Sequence, residues 1–265
     1  MMIEAVVFDW AGTTVDYGCF APVQAFVEAF AHFGIEVTME ETRKPMGMLK
    51  IEHIRTMTKM ERIAKLWEEK YGRSANDEDV QAIYEQFEPK LLSILHRYSS
   101  PKPFVLEVVE ELRQMGMKIG STTGYTDKMM EIVVPEAEKQ GYCPDCWFSP
   151  DSVGGKGRPY PYMMFRNMQE LQVSSVHNVV KVGDTISDIK EGINAGVWSV
   201  GVIEGSSELG LSEEEWGNLS QTEQKKQIKR VESAFRSAGA HFVIQNMLEL
   251  PRLIRMLGSV WDAQT

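Results

Sequence analysis

The chain is short of several things, and each shortage excludes a class. It has only three cysteines, at positions 19, 143 and 146. So sparse and odd a set does not build a disulfide framework, and it suits a reducing cytoplasm. Basic residues are outnumbered by acidic ones, 28 Lys and Arg against 38 Asp and Glu, for a formal net charge of −10. That balance argues against a nucleic-acid backbone or an anionic membrane as the main partner. It leaves room for a small anionic substrate, since a bound cation and a few local donors reverse the sign inside a pocket. No apolar run reaches the ~18 residues that a membrane span needs. The first residues enter an apolar run at once, with neither a basic segment nor a hydrophobic leader before it. The expectation is a cytoplasmic protein.

What is present is a chain of 265 residues with 43% apolar content, enough for a large core or for a core plus a smaller unit. The run from Ile3 to Phe8 reads as a buried parallel strand ending at Asp9. From about Phe20 to Tyr98 the pattern is helical. Phe20, Val23, Phe26, Val27 and Phe30 keep helical spacing, and Gly34 fits a helix C-cap. Further helices are expected near Met48 to Thr58, Lys59 to Tyr71 and Asp77 to His96, before the breaker cluster Ser99-Ser100-Pro101.

Beyond the breakers, strands alternate with helices. Strands are expected at Lys118 to Thr122, near Trp147, at Val179 to Val182, at Val197 to Val202 and at His241 to Ile244. Helices are expected at Val105 to Met115, Lys128 to Gln140, after Pro161 and at the end of the chain. This rhythm predicts an α/β fold, a Rossmann-like doubly wound parallel sheet. The helical block interrupts it after the first strand and reads as an inserted cap of residues 18–98. The core is then 1–17 and 99–265. The Glu- and Lys-rich stretch from Ser212 to Arg230 reads as a solvated helical excursion.

In such sheets ligands bind beyond the carboxyl ends of the strands. Asp9 and Asp184 sit at two such ends, and Asp188 lies one turn further on. Any one of them could be a helix N-cap. Together with their surroundings they form a pattern. Asp9-Trp10-Ala11-Gly12-Thr13, Thr123-Gly124, Arg158 in Gly157-Arg158-Pro159, and Gly183-Asp184-Thr185-Ile186-Ser187-Asp188 resemble, in order, the four motifs of the haloacid dehalogenase superfamily. Arg158 stands where lysine is more usual.

The resemblance implies roles. Asp9 attacks phosphorus and forms an aspartyl phosphate. Mg²⁺ is held by Asp9, Asp184 and the backbone carbonyl of Ala11. Thr123 and Arg158 hold phosphoryl oxygens, while Asp188 orients Arg158 or a metal-bound water.

Ala11 departs from the superfamily's phosphatases, which carry a second Asp there to protonate a departing alkoxide. Either the chain is a degenerate module or its leaving group is not an alkoxide. Lys50 and His53, three apart, would share one face of a helix, although such a pair is commonly just a polar face. The stretch Pro45-Met46-Gly47-Met48-Leu49-Lys50-Ile51-Glu52-His53, set beside Asp9–Thr13 and Ser121-Thr122-Thr123-Gly124-Tyr125, is similar to the phosphonoacetaldehyde hydrolase family. That similarity implies cleavage of a carbon–phosphorus bond, with Lys50 forming a Schiff base and His53 moving protons. Cys19, Met46 and Tyr125 would line the site, and the protein would be a homodimer acting on a small phosphonate. The competing readings are a phosphomonoesterase or phosphomutase of the same superfamily and a non-catalytic phosphate-binding module. Cys143 and Cys146 form a Cys-x-x-Cys with no second pair to complete a zinc site, and read as incidental. The sixteen methionines read as core filler.

Overall fold

The computed structural model describes residues 3–262. Its sheet contains β1 (Ala5–Phe8), β2 (Lys118–Thr122), β3 (Cys146–Phe148), β4 (Val179–Gly183), β5 (Trp198–Val202) and β6 (Phe242–Ile244). The strands run parallel in the order β3-β2-β1-β4-β5-β6, the order of a doubly wound dinucleotide-binding sheet. β1 and β4 are buried along their whole length, which is why their sequences are apolar but for Lys181 of β4.

Between β1 and β2 lie six α-helices: α1 (Phe20–His32), α2 (Met39–Arg43), α3 (Lys50–Thr58), α4 (Glu61–Tyr71), α5 (Asp77–Ile94) and α6 (Val105–Gln114). α1 and α3 both pack on α5. Phe26 is the pivot of that packing, stacked on Phe87 at 4.1 Å and on the His53 ring at 3.9 Å. Gly34, at φ +64°, ends α1 in the left-handed turn that its position suggests. The sequence reading passes over α2. Thr38 and Glu41 form its capping box, each side chain accepting the other's backbone N–H.

After β2 the helices are α7 (Asp127–Glu138), α8 (Tyr162–Glu170), α9 (Ile186–Ala195), α10 (Glu213–Asn218), α11 (Gln221–Ser237) and α12 (Leu250–Asp262). The stretch from Ser212 to Arg230 is helical as expected but is not simply solvated. Trp216 of α10 packs with Ile189, Ile203 and Leu209, and Leu219 and Ile228 pack against the same cluster, which Val231 and Phe235 of α11 continue just beyond the stretch. Among the described residues no helix is long and apolar enough to cross a membrane.

The register sets up the site. Phe8 pairs with Ser121 on one side and Val182 on the other, so Asp9, Thr122 and Gly183 emerge at one level of the carboxyl edge. This is where the chain order reverses across the sheet, the point at which such folds hold ligands.

Candidate active site

Asp9 leaves β1 with its N–H on the Val182 carbonyl at 3.0 Å. Its Oδ1 accepts from Arg158 Nη2 at 2.6 Å, and both side chains are buried. The following turn places Gly12 at φ +88°, where a Cβ would lie 2.1 Å from Asp184 Oδ2. Only glycine lets the backbone come that close to the carboxylate. The Thr13 hydroxyl then donates to Asp184 Oδ1 at 3.0 Å, and the Ser207 N–H to Oδ2 at 2.8 Å.

Asp9, Asp184 and Asp188 bring carboxylate oxygens within 4.8 Å of one another. Their charges are unequally compensated. Burial would raise Asp188, but Arg158 and Lys181, each 3.0 Å from its Oδ1, hold it below the usual carboxylate range. The Arg158 contact is an ion pair outside hydrogen-bond angles. Among the described residues Asp184 has no such ion pair, and the Lys102 charge offsets its burial only in part. Burial, with the neighbouring Asp9 and Asp188, pushes it well above the usual range.

Behind Asp9 is a network that the sequence reading did not anticipate. Thr122 Oγ1 receives Arg158 Nη2 and Lys181 Nζ, both at 2.8 Å, and donates to Glu191 Oε2 at 2.8 Å. Glu191 Oε2 also takes Arg158 Nε at 3.0 Å and lies 3.3 Å from Lys181 Nζ. All four side chains are buried. Truncating Glu191 takes the acceptor from the buried Thr122 hydroxyl and Arg158 Nε–H, and a buried donor left unsatisfied costs about 1–3 kcal/mol. Glu191→Ala is therefore expected to lose stability on that scale, read as a lower urea midpoint at unchanged slope. A change below about 1 kcal/mol would contradict the assigned network.

A small cavity opens over Asp9, with about 10 Å³ of room, on the scale of one water. The core lines it with Asp9, Ala11, Thr123, Gly124, Tyr125, Arg158 and Thr185. The helical segment contributes Cys19, Met46, Gly47 and Lys50. Residues more than a hundred positions apart in the chain thus face one space. Gly47, at φ +87°, lies so near the core that a Cβ would meet Thr185 Oγ1 at 2.4 Å. Larger clefts exist, such as one of about 970 Å³ beside Tyr17, Phe20 and Met39, but they lack these converging ionisable groups.

Lys50 is 3% exposed, and its Nζ lies 4.9 Å from the centre of the Tyr125 ring. Burial lowers its pKa, with a further contribution from the Arg158 charge. Burial pushes the Cys19 thiol well up, so it meets the cavity as a neutral group. His53 does not line the cavity. Its Nε2 is 2.8 Å from the Thr42 carbonyl and so carries the proton there, which leaves the buried Nδ1 bare and without a partner. Burial and the nearby Lys50 put its pKa well below the ordinary histidine value. Asp184 and Asp188 also lie outside the cavity lining. Cys143 is exposed and Cys146 contacts the Asn167 amide oxygen at 3.3 Å, so the Cys-x-x-Cys stands apart from this chemistry.

Comparison with known proteins bears on the same residues. The haloacid dehalogenase-like hydrolase family matches residues 3–196. A phosphonoacetaldehyde hydrolase of Lysinibacillus sphaericus is 53% identical over 97% of this chain and 96% of its own length. A bifunctional phosphonoacetaldehyde hydrolase/aminoethylphosphonate transaminase of Clostridioides difficile is 56% identical over 95% of this chain, which spans 40% of that longer protein. The crystal structure of a phosphonoacetaldehyde hydrolase-like protein from Oleispira antarctica superposes with a TM-score of 0.94 at 40% identity, covering 97% of this chain and 93% of that one.

Proposed function

The chain belongs to the phosphonoacetaldehyde hydrolases of the haloacid dehalogenase-like family, and we propose that it cleaves phosphonoacetaldehyde to acetaldehyde and phosphate through a Lys50 imine and an Asp9 phosphoenzyme. The observation that carries this reading is the shared cavity: a buried amine and a buried carboxylate face one space, with Ala11 where an acid for alkoxide departure would stand.

The chemistry follows from those groups. Neutral Lys50 adds to the aldehyde, and loss of water with uptake of one proton leaves a protonated imine. The carbon–phosphorus bond then breaks as Asp9 Oδ forms a bond to phosphorus. The electron pair of the broken bond moves into the C–C=N unit, so carbon departs as an enamine rather than a free carbanion. A proton returns to that carbon, water cleaves the imine, and acetaldehyde leaves with Lys50 restored. A second water releases phosphate from Asp9.

Arg158 and the Thr123 hydroxyl, which line the cavity, would bind phosphoryl oxygens. His53, with its N–H fixed on Thr42, offers Nδ1 to protons passing through Lys50. The clustered carboxylates, with Asp184 lacking an ion pair among the described residues, fit a hard divalent ion with oxygen ligands. Asp9, Asp184 and the Ala11 carbonyl would hold Mg²⁺, which when bound screens the repulsion between Asp9 and the phosphoryl group. The helical segment, as a cap of residues 18–98, would bring Lys50 to Asp9 and exclude water on closing.

The test is substrate choice. A positioned general acid contributes roughly 10²–10⁴-fold, and Ala11 cannot supply one. Phosphate and acetaldehyde should appear together from phosphonoacetaldehyde, with kcat/KM exceeding that for a simple alkyl or sugar phosphate by at least that factor. Comparable values for a sugar phosphate would move the assignment to a phosphomonoesterase.

A further inference from the structure

Arg43, the last residue of α2, plays no part in the chemistry above, yet it reaches from the helical segment to the core. Its Nη1 donates to the Gly18 carbonyl at 2.6 Å and lies 3.3 Å from Ser207 Oγ and 3.4 Å from the Ser207 carbonyl. Its guanidinium sits over the Phe20 ring at 4.9 Å. Gly18 belongs to the link into the helical segment, and Ser207 to the loop after β5. That loop is the one whose Ser207 N–H holds Asp184 Oδ2 at 2.8 Å. The loop is shaped to admit the side chain. Gly210 is at φ +73°, and a Cβ there would press to 3.2 Å from Arg43 Nε. One arginine thus grips both the link and the loop that aims Asp184.

We propose that Arg43 is a positioning residue: by holding Ser207 it fixes the Asp184 carboxylate for a divalent cation, so that cation binding and seating of the helical segment favour one another. The inference rests on the reading that Asp184 holds Mg²⁺.

The sign of the effect separates this role from simple electrostatics. A positive charge near a cation site repels the cation, so deleting Arg43 for its charge alone would tighten Mg²⁺ binding. Deleting a positioning contact weakens it. Energetic couplings of this kind typically span 5- to 150-fold.

The experiment titrates Mg²⁺ calorimetrically into substrate-free wild type, Arg43→Ala and Arg43→Lys. Arg43→Lys keeps the charge but loses the planar guanidinium, and it serves if the alanine variant does not fold. The expected result is binding at least about 5-fold weaker in both variants. By reciprocity, Mg²⁺ should slow protease cleavage of the link near Gly18 in wild type and fail to do so in Arg43→Ala. Unchanged or tighter binding in the variants, persistent Mg²⁺ protection in Arg43→Ala, or no Mg²⁺ binding by wild type overturns the proposal. If the Arg43 effect appears but wild type releases no phosphate from phosphonoacetaldehyde, the functional reading falls and the assignment of Arg43 stands.

Discussion

Asp9→Asn is expected to lower phosphate release from phosphonoacetaldehyde by at least about 10⁴-fold, the scale on which enzymes lose rate when a covalent nucleophile is removed. The amide has nearly the shape of the carboxylate but cannot form the acyl phosphate. The fold should survive the change. Arg158 loses the Asp9 Oδ1 contact but keeps Glu191 at 3.0 Å and Asp188 at 3.0 Å, so its buried charge is not stranded. Loss of activity with an unchanged urea midpoint would therefore report chemistry rather than unfolding. Asp9→Ala, which cannot revert by deamidation, should behave the same way. Quenched-flow samples of wild type should carry a phosphorylated peptide containing Asp9, and both variants should lack it. Near-wild-type release by either folded variant would end the case for Asp9 as nucleophile.

How much of this was legible in the sequence depends on where the information resides. β2 occupies Lys118–Thr122 as read, and β1 and β4 stand out as apolar runs that stop at an aspartate or just before one, because a strand buried on both faces leaves no alternation to misread. The loop residues that line the cavity belong to contiguous motifs and could be picked out one by one. Thr122, Lys181 and Glu191 could not. Thr122 and Lys181 look like ordinary strand residues, and Glu191 like a polar residue of a helix. Only the pairing of β1 with β2 and β4, and the docking of α9 on β4, bring the three together behind Asp9.

Other omissions left a trace. The Thr38-x-x-Glu41 spacing is a helix-start signature, and it marks the short helix that carries Arg43. Where α11 runs on from the Glu- and Lys-rich stretch, composition hides the pattern. Val231 and Phe235 lie four apart, one turn on the same helix face, and both are fully buried. His53 shows the limit of helical spacing as a guide. Three residues from Lys50, it does face the same side, yet the stack on Phe26 and the bond to Thr42 turn its N–H away from the cavity.

Lys50→Arg is expected to be as damaging as loss of the nucleophile, at least about 10³-fold in kcat/KM, although it keeps a positive charge. A guanidinium stays protonated and cannot add to an aldehyde. Lysine can, provided enough of it is neutral, and the structure shifts the balance toward the neutral form. Burial lowers the amine's pKa, Arg158 adds to the effect, and Lys50 opens α3, where the positive end of the helix dipole also disfavours an ammonium. The sign of the pH dependence follows. Below the lowered pKa the ammonium cannot attack, so kcat/KM should rise with pH through that value and then level off. Sodium borohydride adds a covalent readout, since it reduces an imine to a stable amine. It should inactivate the enzyme only when phosphonoacetaldehyde or acetaldehyde is present, and mass spectrometry should place the new alkyl group on Lys50. An adduct on another lysine, or full activity in Lys50→Arg, would sink the imine mechanism. The aspartyl phosphate would survive that outcome, because it depends on Asp9 and Arg158 at the carboxyl edge of the sheet and not on α3.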